Sequence, residues 1–163
     1  MADRIDITST GPDWQLSCEQ FLDAPIDEVF QFFGDAENLE AITPPWLNFK
    51  IVTPRPIPMQ EGTLIDYRLA LRKIPIRWRT KITEWNPPCS FTDEQIRGPY
   101  RKWIHQHTFI PKDNGTQVSD HVYYNVPGPR FLHDRLVNRD LRRIFQFRQE
   151  VIAQKFHETN FVS

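Results

Sequence analysis

Apolar residues recur at every second position through much of the chain up to Val126 and at every third or fourth position beyond it, which predicts a sheet followed by a helix. Trp14, Leu16 and Cys18 alternate with Gln15, Ser17 and Glu19, and Phe21 then breaks the parity, predicting a first strand with a bulge or shift at its end. Ile26, Val29, Phe30 and Phe33 follow at helical spacing, with Pro25, Asp27 and Glu28 suited to a helix start. Gly34 ends that helix, Asp35 can cap a second short one reaching Ile42, and Thr43-Pro44-Pro45 forbids its continuation. Leu47, Phe49 and Ile51 predict a second strand. Pro54, Pro56 and Pro58 keep the next run out of any central strand. Ile65, Tyr67, Leu69 and Leu71, then Ile74, Ile76, Trp78, Thr80 and Ile82, read as two arms of a meander, each with one wet face. After Pro127-Gly128-Pro129, apolar residues from Leu132 to Phe156 predict one long helix of about 40 Å, at roughly 1.5 Å per residue.

The stretch from Phe91 to Phe109 is the centre of this pattern. Its two arms flank a Gly98-Pro99 break, and Phe91, Asp93, Gln95, Trp103, His105, His107 and Phe109 share one face if the connecting turn holds an odd number of residues. The other face, Thr92, Glu94, Ile96, Lys102, Ile104, Gln106 and Thr108, is wetter. The first face therefore points inward, taking with it an acid, an amide and two imidazoles that must find partners once buried. In the next arm Val118, Asp120, Val122 and Tyr124 share a face, and antiparallel pairing brings Asp120 beside His105 or His107.

Composition narrows the picture. The chain has 163 residues, a single-domain length with one sizeable core. Lys and Arg total 20 against 21 Asp and Glu, so no overall field draws it to nucleic acid or to anionic lipid. No apolar run of signal-peptide or membrane-spanning type occurs, and a soluble, cytoplasmic protein is expected. Cys18 and Cys89 lie far apart and outside any metal-ligand motif, so both are read as reduced packing residues.

The order of elements, with Ala24-Pro25 before Val29-Phe30, Gly62, Glu84-Trp85-Asn86-Pro87-Pro88 before Phe91, Trp103 with His105 and His107, Asp120 with Tyr124, and Pro127 before the helix, resembles the START-like helix-grip superfamily. That group includes polyketide cyclases and dehydrases, coenzyme Q-binding proteins, lipid-transfer domains and the birch-pollen allergen group. The resemblance implies an α+β helix-grip fold: a curved antiparallel sheet of six to seven strands wrapped around a long C-terminal helix, with two short helices after the first strand. It implies a ligand-binding domain over residues 14–158, between an N-terminal extension (1–13) and a short tail (159–163). It also implies a buried hydrophobic or amphipathic ligand, such as a lipid, quinone or polyketide-like molecule. No catalytic residue of the group transfers by motif.

The candidate site follows from the inward face. Tyr67, Trp78, Asp93, Gln95, Trp103, His105, His107 and Tyr124 are the candidate ligand-binding residues, and His105, His107 and Asp120 the candidate proton-transfer set of a cyclase- or dehydratase-type enzyme. The same groups can instead satisfy one another as a polar core network. His-x-His with an acid has the makings of a metal site, but the spacing is loose, and neither a metal nor a cofactor is expected. Arg130, Arg135, Arg139, Arg142, Arg143 and Arg148 crowd the last helix, and Arg77, Arg79 and Lys81 line a strand face; both read as solvated, salt-bridged surface and not as a nucleic-acid site. Pro44-Pro45-Trp46 can frame a cavity mouth or serve as a rigid connector. The expected partner is one small hydrophobic molecule, with oligomeric state open.

Overall fold

The computed structural model describes residues 4–159. Eight strands form one antiparallel sheet: β1 (Ile5–Thr10), β2 (Asp13–Leu22), β3 (Lys50–Ile51), β4 (Leu64–Leu71), β5 (Ile74–Asn86), β6 (Ser90–Arg97), β7 (Lys102–Lys112) and β8 (Gly115–Asn125). Their spatial order is β1-β2-β8-β7-β6-β5-β4-β3, so the meander from β3 to β8 is closed by β2 returning beside β8. Helix α1 (Ile26–Phe33), a 3-10 turn (Ala36–Asn38) and α2 (Leu39–Ile42) follow β2, and the chain ends in α3 (Arg130–Leu132), a π turn (His133–Val137) and α4 (Asn138–Thr159).

Most of the predicted elements form where the residue pattern places them. Asp35 accepts a hydrogen bond from the Glu37 amide at 2.9 Å and so caps the second short helical segment. The sheet departs from expectation at three places. It has eight strands instead of six or seven, because residues 5–10, assigned to the extension, pair with β2 as an edge strand. The second strand shrinks to Lys50–Ile51, since Leu47 closes a 3-10 turn behind Pro44 and Pro45. No bulge interrupts β2, whose pairing with β8 is continuous from Trp14 to Leu22. Phe21 lies 45% exposed, and Gln20 is the buried residue, its amide donating to the Gln149 carbonyl of α4 at 2.8 Å. A polar side chain thus continues the buried face, which the apolar pattern hides. The tail after Thr159 lies outside the described residues.

Two apolar clusters fill the concave side. One sets Phe30 and Phe33 of α1 edge-on to Phe109, which is stacked with Phe91, on the central strands; the other packs Leu16, Trp78, Trp103, Val122 and Tyr124 against Leu141 and Phe145 of α4. Each fully buried ring of this size stabilises the fold by roughly 2–3 kcal/mol.

Gly115 opens β8 where the hairpin meets the end of β2. A methyl group there would collide with the Leu22 carbonyl and stand 2.7 Å from the Phe21 ring. Because the nearest obstacle is backbone, Gly115→Ala is expected to cost about 2 kcal/mol, read in a urea melt; a midpoint equal to wild type would show that the hairpin shifts freely.

Candidate functional site

The site is assembled by strand register. His105 and His107 lie two apart on β7, so both rings leave the same face. Asp93 of β6 stands opposite His105, and Asp120 of β8 stands opposite His107. The hydrogen bonds run on the diagonals: His105 Nε2 meets Asp120 Oδ1 at 2.7 Å, and His107 Nε2 meets Asp93 Oδ2 at 3.0 Å. Asp120 therefore reaches both imidazoles, because His107 Nδ1 also lies 2.9 Å from its Oδ1. That contact is too oblique for a directed hydrogen bond and acts through charge. The two imidazoles lie face to face with centroids 3.8 Å apart, and His107 stacks on Phe91 at 4.2 Å.

Arg148 completes the group from the helix side. Its Nη2 is 3.7 Å from Asp120 Oδ1, and its guanidinium lies 5.4 Å from the centre of the Phe33 ring. This corrects the sequence expectation, which placed Arg148 with the solvated arginines; it is only 9% exposed. The signal was present in the spacing. Leu141, Phe145, Arg148 and Ile152 follow one another at intervals of three and four, so Arg148 sits on the buried stripe of α4. Of the other arginines of α4, Arg142 and Arg143 are exposed, Arg142 donating to Asn138 Oδ1 at 2.8 Å and Arg143 resting on the Trp46 ring at 4.9 Å. On the outer strand face Arg79 makes a two-pronged bond to Asp66 at 2.7 and 2.9 Å.

These contacts set the protonation of the group. Burial pushes the Asp120 carboxyl up, but Arg148, His105 and His107 together outweigh it and hold Asp120 well below the usual range. Asp93 is likewise lowered, its burial outweighed by His107, His105 and Arg148. Burial also pushes both imidazoles down. At His107 the two carboxylates more than offset it and the net shift is upward; at His105 burial and the charge on His107 win, and the net shift is downward. The two imidazoles are thus displaced in opposite senses, His107 toward its charged form and His105 toward its neutral one. Asp93 and Asp120 are the acids of the group, facing the bases His105, His107 and Arg148. An ionised Asp120 only accepts, so His105 donates from Nε2, leaving Nδ1 bare and 4.0 Å from Asp93.

Asp93, His105 and His107 each offer one ligand atom within 4.8 Å of the others. A bound ion has to lie near the plane of both imidazoles along their lone pairs. The two rings are tilted by 31° to one another, and each already holds a carboxylate through Nε2.

This wall faces a cavity of about 190 Å³ between the sheet and α4. Tyr67, Trp78, Asp93, Trp103, His105 and His107 of the sequence candidates line it, together with Phe33, Leu47, Phe49, Leu141, Phe145 and Arg148. Asp120 stands behind the histidines. Gln95 and Tyr124 do not line the cavity. Gln95 clasps the β6–β7 turn, exchanging two hydrogen bonds with the Tyr100 backbone, and the Tyr124 hydroxyl meets His133 Nε2 at 2.8 Å beneath Trp14. Trp46 packs on the outside of α4 against Phe147, while Ile42 and Leu47 on either side of it line the cavity, so the α2 segment is fastened across the helix.

A curved sheet gripping one long helix around a lined hollow defines a START-like, helix-grip ligand-binding domain. Residues 22–149 match the family described as polyketide cyclase / dehydrase and lipid transport, and the chain belongs to that family. Among solved structures it is similar to protein Ms6760 from Mycobacterium smegmatis (17% identity, TM-score 0.69, covering 96% of this chain and 99% of that one). It is also similar to TTHA0849 from Thermus thermophilus (17% identity, TM-score 0.70, 89% and 98% covered) and to the major latex-like protein 151 of Panax ginseng (13% identity, TM-score 0.66, 90% and 99% covered). At such identities the likeness is one of fold. No curated protein matches the sequence. Among the described residues no helix is long and apolar enough to cross a membrane.

Proposed function

We propose that the protein binds a small hydrophobic or amphipathic molecule in this cavity, with the Asp93, His105 and His107 wall set against its oxygen-bearing part. The observation that carries the reading is a largely apolar hollow of about 190 Å³ with one wall of paired acid and imidazole groups. That volume equals about six waters at ~30 Å³ each, which suits a one- or two-ring compound or the head of a longer chain. Native mass spectrometry of protein from its own host is expected to retain such a molecule. Small aromatic ketones are expected to raise the melting temperature, since a ligand of the folded form stabilises it, and His107→Ala is expected to change their affinity. Protein that comes away empty and is stabilised by no apolar compound would remove this reading.

A proton-transfer reaction in the same cavity is the second reading. It is favoured by the opposite displacement of two imidazoles in contact, one shifted toward its neutral form and one toward its charged form, the arrangement that divides base from acid. Deuterium incorporation into the acetyl group of bound 4-ethylacetophenone in D2O, followed by NMR, distinguishes the two. A catalyst accelerates exchange over buffer and loses that on His107→Ala, whereas a carrier leaves the buffer rate unchanged.

A further inference from the structure

A net charge near zero conceals a separation of charge along the strands. The Arg72-Lys73 turn between β4 and β5, Arg101 before β7 and the exit from β8 into α3 all lie at one end of the sheet, where Leu71 pairs with Ile74 and Lys102 with Asn125. The start of the terminal helix is brought to the same end, since Arg72 reaches Asp140 at 3.0 Å and His133 stacks on Trp14, the cross-strand partner of Tyr124. Exposed Lys73, Arg101, Arg130, Arg135 and Arg139 collect there. The acids of that end, Asp13, Asp134 and Asp140, are taken up by Lys102, His133 and Arg72. The other end, where Leu22 pairs with Thr116 and Lys112 with Gly115, is acidic. Asp23, Asp27, Glu28, Asp35, Glu37 and Asp113 are exposed there, against Arg55, Lys112 and Lys155.

Three large apolar side chains stand in water among these cations. Ile74 at the start of β5 is 62% exposed, Phe131 of α3 56% and Leu136 of the π turn 37%. Lys73 precedes Ile74, and the Arg135 guanidinium lies 5.9 Å from the centre of the Phe131 ring. Cations interleaved with apolar tips match a surface that is anionic at its headgroups and hydrocarbon just beneath. Aliphatic Ile74 and Leu136 can enter acyl chains but give a nucleic-acid base no face to stack on. The acidic end is repelled by the same surface, so the separation of charge decides which end faces it.

We infer that the basic end docks on a bilayer surface bearing anionic phospholipid, with Ile74, Phe131 and Leu136 entering the acyl region between the arginine contacts. This surface goes beyond the cavity-binding reading and does not rest on it.

Co-sedimentation of the full chain with phosphatidylcholine vesicles, with and without phosphatidylserine, tests the inference. Binding is expected only where phosphatidylserine is present, and is expected to weaken as salt rises, because screening shortens the reach of the charges. Each cation near such a surface tightens binding about fivefold, so Arg135→Ala with Arg139→Ala is expected to weaken it roughly 25-fold and to flatten its salt dependence. Phe131→Ser and, on a different element, Ile74→Ser are each expected to weaken it about tenfold with the salt dependence kept, since they remove only the inserted part. Glu28→Lys and Ile110→Ser, toward the acidic end, are the controls and are expected to stay within about twofold of wild type. All these positions are exposed, so the fold is retained in each variant. Equal binding to both kinds of vesicle, binding to neither, a control variant losing as much as the arginine pair, or tighter binding to a duplex oligonucleotide would each overturn docking on lipid while leaving the cavity reading intact. Protein that binds anionic vesicles through this end but is stabilised by no apolar compound would overturn the cavity reading alone.

Discussion

Asp120→Asn is expected to lower the melting temperature by on the order of 10 °C, the consequence of removing one partner from a buried charge group worth about 3–5 kcal/mol in a domain of this size. The asparagine oxygen still accepts from His105 Nε2, so what is lost is the charge that Arg148 and His107 lean on. Among the described residues Arg148 has no other carboxylate as close, and it cannot shed its proton. The control is a double-mutant cycle. Arg148→Met alone is expected to be costly as well, but Asp120→Asn with Arg148→Met is expected to cost at least ~1 kcal/mol less than the sum of the two, because the second change removes the charge that the first left unpaired. Strict additivity, or an Asp120→Asn protein melting within about 2 °C of wild type, would show that the group is not held by charge.

The same group is expected to give stability a maximum near neutral pH with limbs of different origin. Asp120 and Asp93 have folded pKa values below their unfolded ones. Their contribution is complete above the unfolded carboxylate pKa of about 4 and disappears as pH falls through the folded values. His105 is also lowered, so its contribution is present above about 6.5 and is lost on acidification through its folded pKa. His107 is raised and acts in the opposite sense: its contribution is complete below about 6.5 and is lost as pH rises through the folded value. Urea melts at intervals from pH 3 to 9 are expected to show His107→Gln losing most relative to wild type on the acid side of its folded pKa, with the difference narrowing toward pH 9. His105→Gln is expected to flatten the acid limb between roughly pH 6.5 and 4. A His107→Gln deficit that grows toward alkaline pH would contradict the upward shift of His107.

Much of the site was legible because strands announce their faces. The odd positions from Phe91 to Phe109 place Asp93, His105 and His107 together whatever the details of the turn, since parity survives any odd-length connection, and Val118, Asp120 and Val122 do the same for the next strand. What parity cannot give is register. Pairing with Asp120 was open between His105 and His107, and the structure uses both, one by hydrogen bond and one by close charge contact. Gln95 and Tyr124 show the opposite limit: each is on the expected strand, yet one is taken up by a turn and the other by His133.

The alternation of side chains, the proline and glycine breaks and the long helical repeat by themselves determined the order of elements and the inward direction of the two histidines, while the grip of sheet on helix was implied by the family resemblance. The order and the direction follow from backbone periodicity, which is a local property. Only the tertiary structure decided that Arg148 belongs to the buried charge group and that His105 and His107 reach Asp120 and Asp93 on the diagonals of the sheet. Each of these depends on distances between segments far apart in the chain, and on the loss of water between them, which no local pattern encodes.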